Sequence, residues 1–196
     1  MTRSKIALLL VTLLAATLLL QSAQARELAI WDRLQGSNPK GYVLLMRHAL
    51  APGVGDPVNF KVGDCSTQRN LNEEGRQDAR DIGQWLQRRE VKIFRVESSR
   101  WCRAKETAQL LDLGKVRLNK NFDSLFQTAD PLNDPRTANI RERVIKHRNT
   151  RGILVLVGHF VNIQALTGAS LDSGEGVLVR ANPRGEIKIL GYSPAP

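Results

Sequence analysis

Tyr42-Val43-Leu44-Leu45-Met46 is an unbroken apolar run that stops at Arg47 and His48. A strand that is apolar at both alternating sets of positions must be covered on both faces, as in a mostly parallel sheet clothed by helices. In open sheets of that kind ligands bind beyond the carboxyl ends of the strands, where Arg47 and His48 fall. Ile153–Val157 is a second such run, followed by Gly158 and His159. Either polar pair alone reads as a surface dipeptide after a strand. Two buried strands that each carry an imidazole to one sheet edge make a candidate site.

The intervening pattern alternates strands with helices. Asn72 caps a helix with Glu73 and Glu74 in its first turn, and Ala79, Ile82, Trp85 and Leu86 form its buried stripe to about Arg89. Val91–Val96 reads as a strand ending at Glu97-Ser98-Ser99, and Arg100–Leu113 as a helix stopped by Gly114. Val116–Leu118 is a short strand, and Thr137–His147 a basic helix facing the sheet through Ile140, Val144 and Ile145, with His147 solvated. Phe160–Leu166 starts a helix directly after His159, while Gly176–Ala181 and Glu186–Leu190 form an antiparallel edge around Asn182–Gly185. Leu50–Asn70 and Asn119–Pro135 lack a sustained period, and loops of such length in compact domains are functional or disordered. Arg26–Asn38 is an amphipathic lead-in with Leu28, Trp31 and Leu34 at helical spacing; Trp31, Trp85 and Trp101 read as core or rim. The expected architecture is a three-layer α/β/α fold with a mostly parallel central sheet and an antiparallel edge.

Ahead of this domain, Arg3 and Lys5 precede the 15-residue apolar run Ile6–Leu20, and Ala23-Gln24-Ala25 supplies a small-residue cleavage pattern. That layout predicts a secretory signal peptide over residues 1–25 and one domain over 26–196. The run falls short of the ~20 residues that cross a bilayer, which favours cleavage over a retained anchor. The expected location is the periplasm, with membrane contact only through the signal segment. In an exported chain the two cysteines, Cys65 and Cys102, favour a disulfide; two buried free thiols are the alternative. The formal charge is +10, or +8 without Arg3 and Lys5. A basic excess suits nucleic acid, an anionic membrane surface or phosphorylated substrates, but the charges are scattered, with no dense Lys/Arg run and no zinc-finger spacing, so a solvated surface explains most of them and no nucleic-acid partner is expected.

Arg47-His48, Ser98-Ser99 leading to Arg103, and Gly158-His159 converge on one sheet edge. Guanidinium forks match phosphate oxygens bidentately and stay charged at working pH. One neutral imidazole can attack phosphorus while the other donates a hydrogen bond to the phosphoryl oxygens. Four segments, L-M-R-H-A at Leu45–Ala49, R-N-L-N-E-E-G-R-Q-D-A at Arg69–Ala79, S-S-R-W-C-R-A-K-E-T-A at Ser98–Ala108 and V-G-H-F-V-N-I-Q-A-L-T-G at Val157–Gly168, together resemble the histidine phosphatase superfamily. The resemblance implies a phosphoglycerate mutase-like fold and a metal-free, cofactor-free phosphatase. In it His48 is the nucleophile, Arg47 and Arg103 clamp phosphate, and His159 is the electrophilic partner, while Arg100 is a surface residue at the helix start.

Two departures from the family pattern stand out. Ala49 replaces a common Gly, and Phe160 and Val161 occupy the places where the acid-phosphatase branch carries its proton donor. The nearest match to a general acid is Asp123, with Asp130 and Asp56 as alternatives; Asn162 is a candidate substrate contact. The expected substrate is a small exported or envelope phosphate ester such as a phosphosugar. Lipopolysaccharide phosphate is among the candidates, because an exported relative acting on core heptose shares an R-H-A motif and a Cys-containing loop. A catalytically weak anion- or polyanion-binding module on the same fold is the rival reading.

Overall fold

The computed structural model describes residues 30–193. The signal-peptide expectation and Leu28 of the lead-in lie outside those residues. Six strands form one sheet: β1 (Tyr42–Arg47), β2 (Ile93–Ser98), β3 (Val116–Leu118), β4 (Ile153–Gly158), β5 (Gly176–Ala181) and β6 (Ile187–Tyr192), in the order β3-β2-β4-β1-β5-β6. The β3-β2, β2-β4 and β4-β1 pairs are parallel, and β1-β5 and β5-β6 antiparallel, as the pattern predicts. Four helices cover the sheet: α1 (Glu73–Arg88), α2 (Cys102–Leu110), α3 (Pro135–His147) and α4 (Phe160–Thr167).

The apolar run of β1 serves two cores. Leu44 and Met46 pack with Ile82, Leu86, Ala104 and Ala108 on the α1/α2 face, while Val43 and Leu45 pack with Ile140, Val144 and Ile163 on the α3/α4 face. Strand alternation sends successive side chains to opposite faces, so a strand between two helical layers has no polar side. Among the described residues no helix is long and apolar enough to cross a membrane.

α1 begins where expected, with Asn72 Oδ1 accepting from the Gly75 N–H at 2.8 Å. A Cβ on Gly75 would overlap the Leu50 carbonyl, so a side-chain-free residue brings this helix start against the loop leaving His48. Among the boundaries that differ from expectation, three have a visible cause. β2 runs to Ser98, because Glu97 and Ser98 pair with both β3 and β4. Glu97 is buried there, and Arg143 holds its carboxylate at 2.6 Å. α2 starts at Cys102, since Arg100 and Trp101 are drawn out of the helix by Asp123 and Ser99. α3 starts at Pro135, with Asp134 as its cap.

His147 was expected in solvent and is instead buried. The end of α3 turns back onto the start of β4, where His147 Nε2 meets the Gly152 carbonyl at 2.9 Å and the ring tilts against Phe94. Burial pushes its pKa down. Cys65 and Cys102 form a disulfide.

Candidate active site

The parallel register sets Arg47 of β1 beside Gly158 of β4, so the residues that follow leave the sheet together. His48 N donates to the Gly158 carbonyl at 2.9 Å, and the His48 and His159 rings meet edge to face with centroids 5.5 Å apart. His159 is the N-cap residue of α4, and Phe160 and Val161 at the helix start line the same cavity. Arg103 enters from the first turn of α2. Its backbone carbonyl accepts from Thr107 Oγ1 at 2.7 Å, and that oxygen accepts the Ala49 N–H at 3.0 Å, fastening the helix to the loop after His48.

The cavity is about 240 Å³ and is lined by Arg47, His48, Asp56, Arg69, Arg103 and His159, among others. His48 Nδ1 lies 2.8 Å from the Ala49 carbonyl, which can only accept, so Nδ1 carries the hydrogen. Nε2 therefore bears the lone pair, and Arg103 Nε–H donates to it at 3.1 Å. Burial pushes the His48 pKa down to about 3, against the Ala49 hydrogen bond and with help from Arg103, Arg69 and Arg47. His159 is also pushed well down, by burial and then by His48 and the three guanidiniums. Its Nε2 is 2.9 Å from Ser99 Oγ.

Arg47 donates Nη1–H to the Leu171 carbonyl at 2.9 Å, and its buried Nε has no protein partner among the described residues. Arg69 comes from the loop between β1 and α1. Its Nε–H binds the Gly55 carbonyl at 2.9 Å and its Nη1–H the Ala51 carbonyl. The sequence reading assigned Arg69 no role. Its only signal was its place in the R-N-L-N-E-E-G segment at the end of an aperiodic loop.

Asp56, an alternative acid at the sequence level, lines the cavity and takes both Arg103 Nη groups, at 2.6 and 3.1 Å. Trp101 Nε1–H and the Arg69 N–H complete its shell. Burial alone would raise its carboxyl, but the hydrogen bonds and charge of Arg103, with those two donors, hold it below the usual carboxylate range.

Asp123 is placed differently from the acid expected at that position. It is buried outside the cavity lining, where Arg100 Nε–H donates at 2.8 Å and Nη2–H at 2.5 Å to Oδ2. Arg100 is exposed just ahead of α2, as expected of a surface residue at a helix start, and from there it pairs with the buried Asp123. Asn162 does not line the cavity either, because its amide is used on the chain: Oδ1 accepts from Leu125 N at 3.1 Å and Nδ2 donates to the Asp123 carbonyl at 2.8 Å. Asp130 is exposed and holds the Asn133 turn. No group of three or more His, Cys, Asp or Glu among the described residues is arranged to hold a metal ion.

Three guanidiniums, two neutral imidazoles and the positive end of α4 around one small cavity suit a tetrahedral oxyanion held against a nucleophilic nitrogen.

Residues 43–123 match the histidine phosphatase superfamily (branch 1). Among curated protein sequences none matches the chain. The fold is similar to that of the protein histidine phosphatase SixA complexed with tungstate, at TM-score 0.55 and 16% identity over 78% of this chain and 96% of that one. It is similar to a phosphoserine phosphatase variant from Entamoeba histolytica in complex with phosphoserine, at TM-score 0.56 and 13% identity over 78% and 96%. A mycobacterial glucosyl-3-phosphoglycerate phosphatase aligns at TM-score 0.55 and 16% identity over 79% and 99%. At such identities the likeness is one of fold, and within that fold residues 43–123 carry the match to the histidine phosphatase superfamily.

Proposed function

We propose that the chain is a phosphomonoesterase working through a phosphohistidine at His48. The observation that carries this reading is the pinned imidazole: Nδ1–H on the Ala49 carbonyl and a lone pair at Nε2, facing the cavity beside Arg103. Nε2 attacks phosphorus, the P–O bond to the leaving group breaks, and Arg47, Arg69, Arg103 and the start of α4 hold the phosphoryl oxygens. With Nε2 of His159 engaged by Ser99, its Nδ1 is the ring nitrogen left to donate to a phosphoryl oxygen. Water then attacks phosphorus, the P–N bond breaks, and His48 returns to its neutral form.

The disulfide fits a protein that works outside the cytoplasm, and the proposed location is the periplasm. The proposed substrate is a small phosphate ester met there, with phosphosugars and lipopolysaccharide phosphate as the classes suggested by the sequence. Comparing the parent with His48→Ala on an aryl phosphate tests the reading. Turnover in the parent and none above background in the variant supports it, whereas phosphate binding without turnover in the parent leaves the anion-binding module.

A further inference from the structure

A second, larger cavity adjoins the phosphate site and shares Asp56, Ser124 and Phe126 with it. Its apolar wall is Pro57, Val58, Phe60, Trp101 and Phe126. Val58 is fully exposed and Phe126 is 55% exposed, so these faces lie open to a ligand. The wall is continuous with the nucleophile. His48 meets His159 at 5.5 Å between ring centroids, His159 meets Trp101 at 5.6 Å, and Trp101 stacks on Phe60 at 4.8 Å.

Several polar groups of this cavity are engaged within the protein. Trp101 Nε1–H is on Asp56, Arg136 is bound to Asp134 and Thr128 Oγ1, and Ser124 Oγ accepts from the Phe126 N–H. The Gln127 amide, which also lines it, has no protein partner among the described residues, so a polar leaving group finds one free amide there, while a ring finds three aromatic side chains.

We infer that this second cavity receives the leaving group of the substrate and selects an aromatic one, so that the chain acts on phosphate monoesters of phenols. The inference rests on the phosphatase reading and narrows it. The proton requirement points the same way. Asp56 is the one carboxylate shared by the two cavities among the described residues, and Arg103 holds it ionised, so it has no proton to give. A phenolate, whose conjugate acid has a pKa of about 10, can leave with its electron pair and take a proton from water afterwards; an alkoxide leaves far less readily.

The test measures kcat and KM for phenyl phosphate, benzyl phosphate and glucose 6-phosphate on the parent and on Phe60→Ala, with inhibition by inorganic phosphate as the control for an intact anion site. Phenyl phosphate should be the best substrate by at least about a hundredfold in kcat/KM over glucose 6-phosphate. Benzyl phosphate should match its KM with a much lower kcat. Phe60→Ala, at a residue that lines only the second cavity, should raise KM for both ring-bearing esters roughly five- to tenfold while phosphate inhibition and the sugar phosphate stay unchanged. Glucose 6-phosphate turned over as well as phenyl phosphate, or a Phe60→Ala effect that is nil or equal on all three, overturns the inference and leaves the phosphatase reading standing. No His48-dependent turnover of any ester removes both.

Discussion

Arg103 donates Nε–H to Nε2 of His48 at 3.1 Å while both its Nη groups rest on the Asp56 carboxylate. One guanidinium thus touches both the proposed nucleophilic nitrogen and a carboxylate of the same cavity.

That geometry depends on a planar fork. Arg103→Lys keeps the charge but cannot span two oxygens while touching Nε2. We expect kcat/KM on an aryl phosphate to fall roughly 10²–10³-fold and phosphate inhibition to weaken. Unchanged kinetics in this variant would detach Arg103 from the chemistry.

Asp56→Asn separates a proton donor from an electrostatic partner. Because Arg103 holds Asp56 ionised, the variant should slow phenyl and benzyl phosphate by a similar factor. A much larger loss on the benzyl ester, the poorer leaving group, would make Asp56 the general acid.

The disulfide joins Cys65, in the loop that carries Asp56 and Arg69, to Cys102, the neighbour of Arg103. Opening this crosslink of sequence separation 37 removes roughly 3–4 kcal/mol in the chain-entropy picture. Urea unfolding of the Cys65→Ser/Cys102→Ser protein should show that loss, and phosphate inhibition should weaken because the loop loses its tie to α2.

The buried imidazoles predict acid sensitivity of the fold. The His48 pKa is about 3 when folded against about 6.5 unfolded, so as pH falls the unfolded chain takes up its proton first. Its contribution is intact above about pH 6.5 and is lost progressively toward pH 3, amounting to roughly 2 kcal/mol at pH 5. His159 shifts in the same direction. Urea unfolding at pH 7 and pH 5 should show the drop, and His48→Gln should shrink it. Imidazole NMR should find His48 neutral at pH 5 with the hydrogen on Nδ1; an imidazolium signal there would contradict the assignment.

The parts of the site that stand at the ends of periodic elements were legible in the sequence. Arg47, His48 and His159 follow unbroken apolar runs, and parallel pairing of β1 with β4 brings them together. Arg69 and Asp56 come from a loop with no period, and their places depend on long-range bonds, Arg69 to Gly55 and Ala51 and Asp56 to Arg103 and Trp101. Asp123 shows why residue type misleads there. A carboxylate in the right stretch is visible, but its capture by the exposed Arg100, 23 residues earlier, is a long-range contact that no local pattern shows. His147 failed for a related reason: helical periodicity assigns a face, not the fold-back of the helix end onto Gly152.

The account turns on a covalent intermediate at one nitrogen. Parent protein mixed with excess aryl phosphate, quenched in alkali and analysed by intact mass and peptide mapping, should carry one phosphoryl group on His48. Ser99→Ala, which loosens His159, should change how much accumulates but not where it sits. A phosphoryl group on any other residue, or turnover with none detectable in rapid-quench samples across the first turnover, would contradict the mechanism.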